Sequence, residues 1–575
     1  MRYGLKNAET RELEKLSYTL RGEIEIAVAQ NGGHLASNLG AVEITLAMHS
    51  VFDPDTDKLL FDVGHQAYAH KLLTGRSLSG LRKKEGISGF LSPSESACDA
   101  FVSGHSGTAL SLAAGYLRAK KLTGADYEIV ALVGDGAMTG GMSYEALNDL
   151  RTIGGRVVVI LNDNGFPYGN GGIDSGFSAY LDDIKASKIA APFKCYGAEY
   201  IGVIDGHDIG ALTEAFKKAK ESNGITVVHC ITQKGKGCKA AEDAPERYHG
   251  LPRPSFGKTN EGITFSRAAG EGLTALATLD KRIVAVTAAM REGAGLSGFA
   301  ERFPDRFFDV GICEAHAVTM SAAMSRGGLI PFAAVYSSFL QRGFDGLLHD
   351  VGIMNNNVKF LIDRAGLVAE DGETHQGIFD VGYLRLVPDI VILSPENTEE
   401  LKEMIGFAAG HEGAVAIRYP KGAPPVIPER LKSFLTRPIG ENAVLVSGAF
   451  AELEALIAAE ICREKYGIET SVRYVKKLKP LDGSLTEDLK ACKRIFTVED
   501  NAVSGGFGSA AAEAFSCDGS KTVKIFAVRD AFPKRGTREE LFCAEGLDGE
   551  TLAKRIAREF ESKQLGHKSG NEEKK

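Results

Sequence analysis

At 575 residues the chain has room for about three or four domains of roughly 100–200 residues each. A net charge of −8, with 44% hydrophobic and 25% charged residues, argues against a general nucleic-acid or anionic-membrane binder and for a globular protein. Nine cysteines, an odd number without a C-x-x-C pair, argue against a disulfide or zinc framework. Reduced thiols, no apolar leader core at the start and no apolar run of ~20 residues together predict a cytoplasmic protein without a membrane span.

Residues 8–30 predict an amphipathic helix with Leu13, Leu16, Leu20 and Ile24 on one stripe, ended by Gly32-Gly33. From there to about Gly237, apolar runs alternate with helical stretches, the pattern of a parallel sheet covered on both faces. Residues 127–133 (YEIVALV) lead into Gly134-Asp135-Gly136, and residues 156–161 (RVVVIL) lead into Asn162-Asp163-Asn164. Residues 139–152 have the composition of a crossover helix between them, which two parallel strands require. Asp135 and Asn164 are thereby expected at the carboxyl ends of neighbouring strands, where open α/β sheets place ligands. A carboxylate and an amide oxygen are hard donors that suit Mg²⁺, whose remaining positions go to water and phosphate.

Residues 169–187 are the least regular part of this block, and residues 239–259 read as a connector rich in proline and charge. A second α/β block has expected strands at 282–287, 307–311, 358–363, 389–393 and 415–419, and residues 423–438, with four prolines, read as another linker. A third block has expected strands near 443–447, 470–475, 494–498 and 523–528, and residues 559–575 read as a frayed tail. The expected fold is therefore α/β: three domains of mostly parallel sheets flanked by helices, at 1–250, 256–425 and 437–562, with a tail at 563–575.

Gly-Asp-Gly followed one crossover later by Asn resembles the metal motif of thiamine diphosphate enzymes. The stretches FDVGHQAYAHK (61–71), SGHSGT (103–108), FDVGICEAHAV (308–318), YSSFLQR (336–342), DRAG (363–366) and DGETHQG (371–377) narrow it. They resemble the 1-deoxy-D-xylulose-5-phosphate synthases, in the family's order and over nearly the whole chain. That resemblance implies a thiamine diphosphate-binding fold pair and a transketolase C-terminal-like domain. It implies thiamine diphosphate and Mg²⁺ as cofactors, pyruvate and glyceraldehyde 3-phosphate as substrates, and a homodimer. The products would be carbon dioxide and 1-deoxy-D-xylulose 5-phosphate, a precursor for isoprenoid, thiamine and pyridoxal synthesis.

Carried over by motif, the resemblance makes Glu314 the carboxyl that activates the aminopyrimidine, with Phe339 packed on that ring. His65, Gly104, His105, Ser106, Gly136, Ala137, Asn164 and Cys238 would line the cofactor. Asp135, Asn164 and the carbonyl of Phe166 would hold the metal. His34, His375 and Asp371 would handle pyruvate and what forms from it, histidine being suited because its charge changes near neutral pH. Arg364 and Arg418 would grip the acceptor's phosphate with a planar fork, and Tyr336 and Arg342 would complete that wall. Lys234 and Lys236 lie in a loop the family also has near the cofactor; Lys534 and Arg535 take no role.

Three places depart from the family. Gly165-Phe166-Pro167-Tyr168 replaces Glu-Met-Ser-Ile, the segment from Asn164 to Ile204 is much shorter, and Cys238 stands where tyrosine is usual. Leu91-Ser92-Pro93 and Ala315 are smaller changes. Two rival readings remain at the level of sequence: a transketolase-type ketol transferase, which shares Asp371-Gly-Glu-Thr-His-Gln, and a catalytically impaired relative.

Overall fold

The structure, a computed structural model, describes residues 5–6, 8–165, 181–183, 191–253 and 262–569. Contacts group the chain into two compact units, Met1–Gly257 with Gly311–Cys313, and Lys258–Val310 with Glu314–Lys575.

In the first unit, β1 (Lys58–Phe61), β2 (Ile129–Gly134), β3 (Val157–Asp163), β4 (Glu199–Asp205) and β5 (Ile225–Ile231) form one sheet in the order β1-β2-β3-β5-β4. Every pair is parallel. β2, β3 and β5 are almost wholly buried, as expected of runs covered on both faces. The expected strand–helix–strand unit is present. Helix Gly141–Ile153 links β2 to β3, and Gly134 stands opposite Asn162, so the two loops leave the sheet side by side.

The first helix runs Thr10–Asn31, opened by a Glu9/Glu12 capping box and closed at Gly32, whose φ of 70° suits glycine. Leu13, Leu20 and Ile24 of its stripe are buried, each such side chain contributing about 1.5–3 kcal/mol. The stretch read as a connector is more than that. Gly33 and Leu251 exchange backbone hydrogen bonds at 2.9 and 2.8 Å, and the Ala36 N–H donates to the Tyr248 carbonyl. Composition marked proline and charge there but gave no sign of this long-range pairing.

Buried ion pairs brace the helix Tyr68–Leu73 that follows His65. Arg76 forks onto Asp99 at 2.6 and 2.7 Å, His70 Nε2 lies 3.2 Å from Asp99, and Lys71 pairs with Glu95 at 2.7 Å. Burial alone pushes the Asp99 carboxyl up, but hydrogen bonds from His70 and Arg76 outweigh it and hold it well below the usual carboxylate range. A depressed folded-state value adds stability above the unfolded value near 4, lost as pH falls through the folded one. Asp99→Ala is expected to cost about 3–5 kcal/mol, because it strands the buried Arg76 guanidinium. It should also flatten the acid limb of the stability curve. Urea midpoints between pH 7 and pH 3 check both; equal midpoints for variant and parent would refute it.

In the second unit, β6 (Ile283–Thr287), β7 (Phe307–Asp309), β8 (Ile330–Tyr336), β9 (Lys359–Asp363), β10 (Val391–Leu393) and β11 (Val415–Arg418) build a parallel sheet. The chain continues through β12 (Asn442–Ser447), β13 (Ser471–Tyr474), β14 (Lys477–Lys479), β15 (Arg494–Ala502) and β16 (Thr522–Val528). β8 is absent from the expected strands; it carries Pro331 inside a central strand, where proline ordinarily argues against one. β14 pairs antiparallel with β10, so the third block adds an edge strand to the second block's sheet, order β14-β10-β11-β9-β8-β6-β7. The remaining four strands form a parallel sheet, order β13-β12-β15-β16. Two expectations need correction. The linker at 423–438 contains helix Glu429–Thr436, whose Leu431 and Phe434 are buried, and the tail at 559–575 is helical as far as Ser569.

Candidate active site

In the first unit Asp135 and Asn164, two of the three expected metal ligands, lie together. Asp135 follows β2, is 8% exposed, and accepts from the Gly136 N–H at 2.8 Å and from the Asn164 N–H. Burial pushes its carboxyl up and Asp163 adds to that, while Lys234 and the two N–H donors oppose it. Asn164 Oδ1 is buried without a hydrogen-bond partner among the described residues. A hard oxygen left unsatisfied beside a buried carboxylate fits a divalent cation. The described residues contain no cluster of three or more His, Cys, Asp or Glu that could hold a metal ion. Phe166, the expected carbonyl ligand, lies outside the described residues, as does most of 169–187.

The second loop is held from behind. Asp163 accepts from the Gly165 N–H at 3.0 Å and meets His229 at 3.0 Å, and His229 in turn meets the Tyr200 hydroxyl at 2.9 Å. Asn162 donates to Gln66 and accepts from Thr232. The stretch with Gly104, His105 and Ser106 is anchored by Asp62, whose two oxygens accept from the N–H groups of Gly107 and Ala109 at the start of helix Ala109–Thr123. Gly136 and Ala137 enter a short 3₁₀ turn, Ala137–Thr139, on the way to the crossover helix.

His34 and His65 lie together, ring centroids 5.8 Å apart. Asn38 clamps them: its amide donates to the carbonyls of His34 (2.6 Å) and His65 (2.8 Å) and accepts from the Tyr68 N–H. A third ring, His249, stands 5.5 Å from His34 and 5.4 Å from His65, with Nδ1 on Ser37. Sequence reasoning missed His249, because it lies in the stretch read as connector and only the Gly33–Leu251 pairing brings it in. Burial holds the His65 and His249 imidazoles well below their usual range, so both are neutral at pH 7, and His65 Nδ1 has no partner among the described residues. Burial also brings the Lys234 ammonium down to about 8, with Asp135 and Glu246 opposing. Cys238 is half-buried beside the apolar cluster that includes Leu20, Ile24 and Ala241, and Lys236 offers its carbonyl to Arg21.

In the second unit Glu314 opens helix Glu314–Arg326 and is 4% exposed. Burial raises its carboxyl above the usual range, against the smaller lowering effects of its own backbone N–H and of Arg342. Tyr336, at the end of β8, stacks on Phe339 at 5.8 Å, and Phe339 meets the His375 ring edge-on at 5.5 Å. His375 Nδ1 bonds Thr374 in the turn that Asp371 caps. The Arg364 guanidinium lies 3.7 Å over the Tyr336 ring. Arg418 is 3% exposed; its Nε donates to Asp380 at 2.9 Å, and its Nη2 has no hydrogen-bond partner among the described residues, 3.9 Å from Asp500. Sequence reasoning did not foresee the Asp380 and Asp500 carboxylates around Arg418. They come from a helix and from β15, both far along the chain.

Residues 2–192 and 178–232 match the family model described as 1-deoxy-D-xylulose-5-phosphate synthase. Residues 261–426 match the transketolase pyrimidine binding domain, and 434–552 the transketolase C-terminal domain. A 1-deoxy-D-xylulose-5-phosphate synthase of Clostridium tetani is 40% identical, with 96% of this chain and 98% of that protein aligned. One of Carboxydothermus hydrogenoformans is 41% identical over 95% and 96%. The chain belongs to the 1-deoxy-D-xylulose-5-phosphate synthase family. Its members are transketolase-like transferases, and membership implies dependence on thiamine diphosphate. The alignment to the Clostridium protein runs over 606 positions, more than this chain's length, and the family model matches in two overlapping stretches, 2–192 and 178–232. A solved transketolase of Campylobacter jejuni is 18% identical over 96% of this chain and 100% of that one, at a TM-score of 0.43, too low to carry weight. Among the described residues no helix is long and apolar enough to cross a membrane.

Proposed function

We propose that this chain condenses pyruvate with D-glyceraldehyde 3-phosphate to 1-deoxy-D-xylulose 5-phosphate and carbon dioxide, using thiamine diphosphate and Mg²⁺. The observation that carries this reading is Glu314, a buried carboxyl raised by burial at the head of a helix, inside the stretch matched by the pyrimidine-binding family model. Thiamine diphosphate, when bound, supplies a nucleophilic thiazolium carbon and an electron sink for decarboxylation. Glu314 would hold and move the proton that activates the aminopyrimidine, with Phe339 packed on that ring. A raised carboxyl suits this work, since the ideal value lies near the operating pH.

Asp135, Asn164 Oδ1 and the Phe166 carbonyl would hold Mg²⁺, and His65, Gly104, His105, Ser106, Gly136, Ala137 and Cys238 would line the cofactor. His34, His375 and Asp371 would orient pyruvate. The forks of Arg364 and Arg418, with Tyr336 and Arg342, would take the acceptor's phosphate; the Arg418 Nη2, which has no hydrogen-bond partner among the described residues, supports this. A cytoplasmic homodimer with the three-domain division 1–250, 256–425 and 437–562 completes the reading.

The expected result is carbon dioxide release from labelled pyruvate that depends on glyceraldehyde 3-phosphate, with the deoxyketose phosphate identified by mass spectrometry. Turnover with ketose donors in place of pyruvate would overturn it.

A further inference from the structure

Resting on the reading that Arg364 grips a phosphate, one neighbourhood of the second unit explains how that fork is aimed. Arg364 has φ +58°, a left-handed conformation that costs a non-glycine residue about 1–3 kcal/mol and persists only where its surroundings impose it. Those surroundings are specific. The buried Asp363 accepts the Arg364 backbone N–H at 2.6 Å and pairs with Nη1 at 3.0 Å, and Ser266 Oγ donates to the same carboxylate at 2.7 Å. The Gly293 carbonyl accepts from Nη1 at 3.0 Å. Nη1 is thereby committed, and the fork is presented through Nη2.

Gly293 has a second property. A Cβ built there would lie 1.6 Å from the Tyr336 hydroxyl oxygen, 2.8 Å from Cζ of that ring and 3.4 Å from Arg364 Nη2. Its backbone is not in the left-handed region, so the constraint is space rather than conformation. The missing side chain is what lets the Tyr336 ring slide beneath the guanidinium, and its carbonyl fastens the guanidinium there.

We propose that Gly293, with Ser266 behind Asp363, is a positioning residue that sets the enzyme's selectivity for a phosphorylated aldehyde acceptor by holding Arg364 flat on Tyr336. Any bulk at 293 displaces the ring, tilts the fork and loosens the phosphate grip, and the test reads separately whether the groups that act on pyruvate and cofactor are disturbed.

The test uses the full-length holoenzyme and two aldehydes, glyceraldehyde 3-phosphate and unphosphorylated glyceraldehyde. Gly293→Ala is expected to raise KM for the phosphorylated aldehyde about ten- to a hundredfold, the scale of a misplacement near 1 Å. Its kcat, its KM for pyruvate and its calorimetric affinity for thiamine diphosphate with Mg²⁺ should stay within about twofold, and kcat/KM for glyceraldehyde within about threefold. Ser266→Ala adds no bulk and should raise the same KM roughly two- to tenfold. Equal losses with both aldehydes, or an unchanged KM, overturn the proposal; if Gly293→Ala does not fold, Ser266→Ala decides alone. Arg364→Ala separates the two levels. If it impairs both aldehydes alike, the phosphate reading itself fails; if it is selective while Gly293→Ala and Ser266→Ala are not, only the positioning role fails.

Discussion

Glu314→Gln should keep cofactor affinity within about threefold while lowering kcat by about a thousandfold, within the 10²–10⁴ range of a positioned acid or base. The amide matches the carboxyl in shape and can still hydrogen-bond, but it can neither take up nor release the proton. The stability of the variant separates this from damage. Burial raises the folded-state value of Glu314, so the folded state binds more protons than the unfolded one between the two values. Stability from this site is therefore greatest below the unfolded value near 4.3 and declines as pH rises through the folded one. The uncharged amide has no such decline, and the variant's melting temperature at pH 7–8 should equal or exceed the parent's. A variant with near-parental turnover, or one that loses turnover and melting temperature together, would remove Glu314 from this role.

Asp135→Ala should weaken the joint binding of thiamine diphosphate and Mg²⁺ by about a hundredfold or more, since even outer-shell partners of metal ligands are worth 10–100-fold. The chain has no tryptophan, so titration calorimetry is the natural readout. In the parent, EDTA should abolish tight cofactor binding; in the variant, EDTA should change little, because the metal no longer contributes. Binding near the parental affinity that remains EDTA-sensitive would show that the metal is held elsewhere.

These outcomes bear on residues whose local context was legible in the chain. Continuous apolar runs placed β2 and β3, glycine and asparagine marked the loops after them, and the crossover length put them side by side. Glu314 stood out through its motif. Each is a local signal, carried by a few neighbouring residues and the period of one element. Other features carried no local signal. Pro331 hid β8, the charged Lys477–Lys479 became an edge strand only by meeting β10, and helix Glu429–Thr436 lay inside a proline-rich stretch.

The same division runs through the candidate site. By itself the sequence determined the α/β architecture, the family, the side-by-side placing of the two loops with Asp135 and Asn164, and the helix-opening carboxyl at Glu314, because hydrophobic period, turn chemistry and motif all act over short spans. Only the tertiary structure decided that His249 joins His34 and His65, that Asn38 ties those two together, that Asp380 and Asp500 surround Arg418, and that Gly293 makes room for Tyr336 beneath Arg364. Each of those contacts joins segments distant in the chain, and burial and hydrogen-bond satisfaction select such partners only once the whole fold has closed around them.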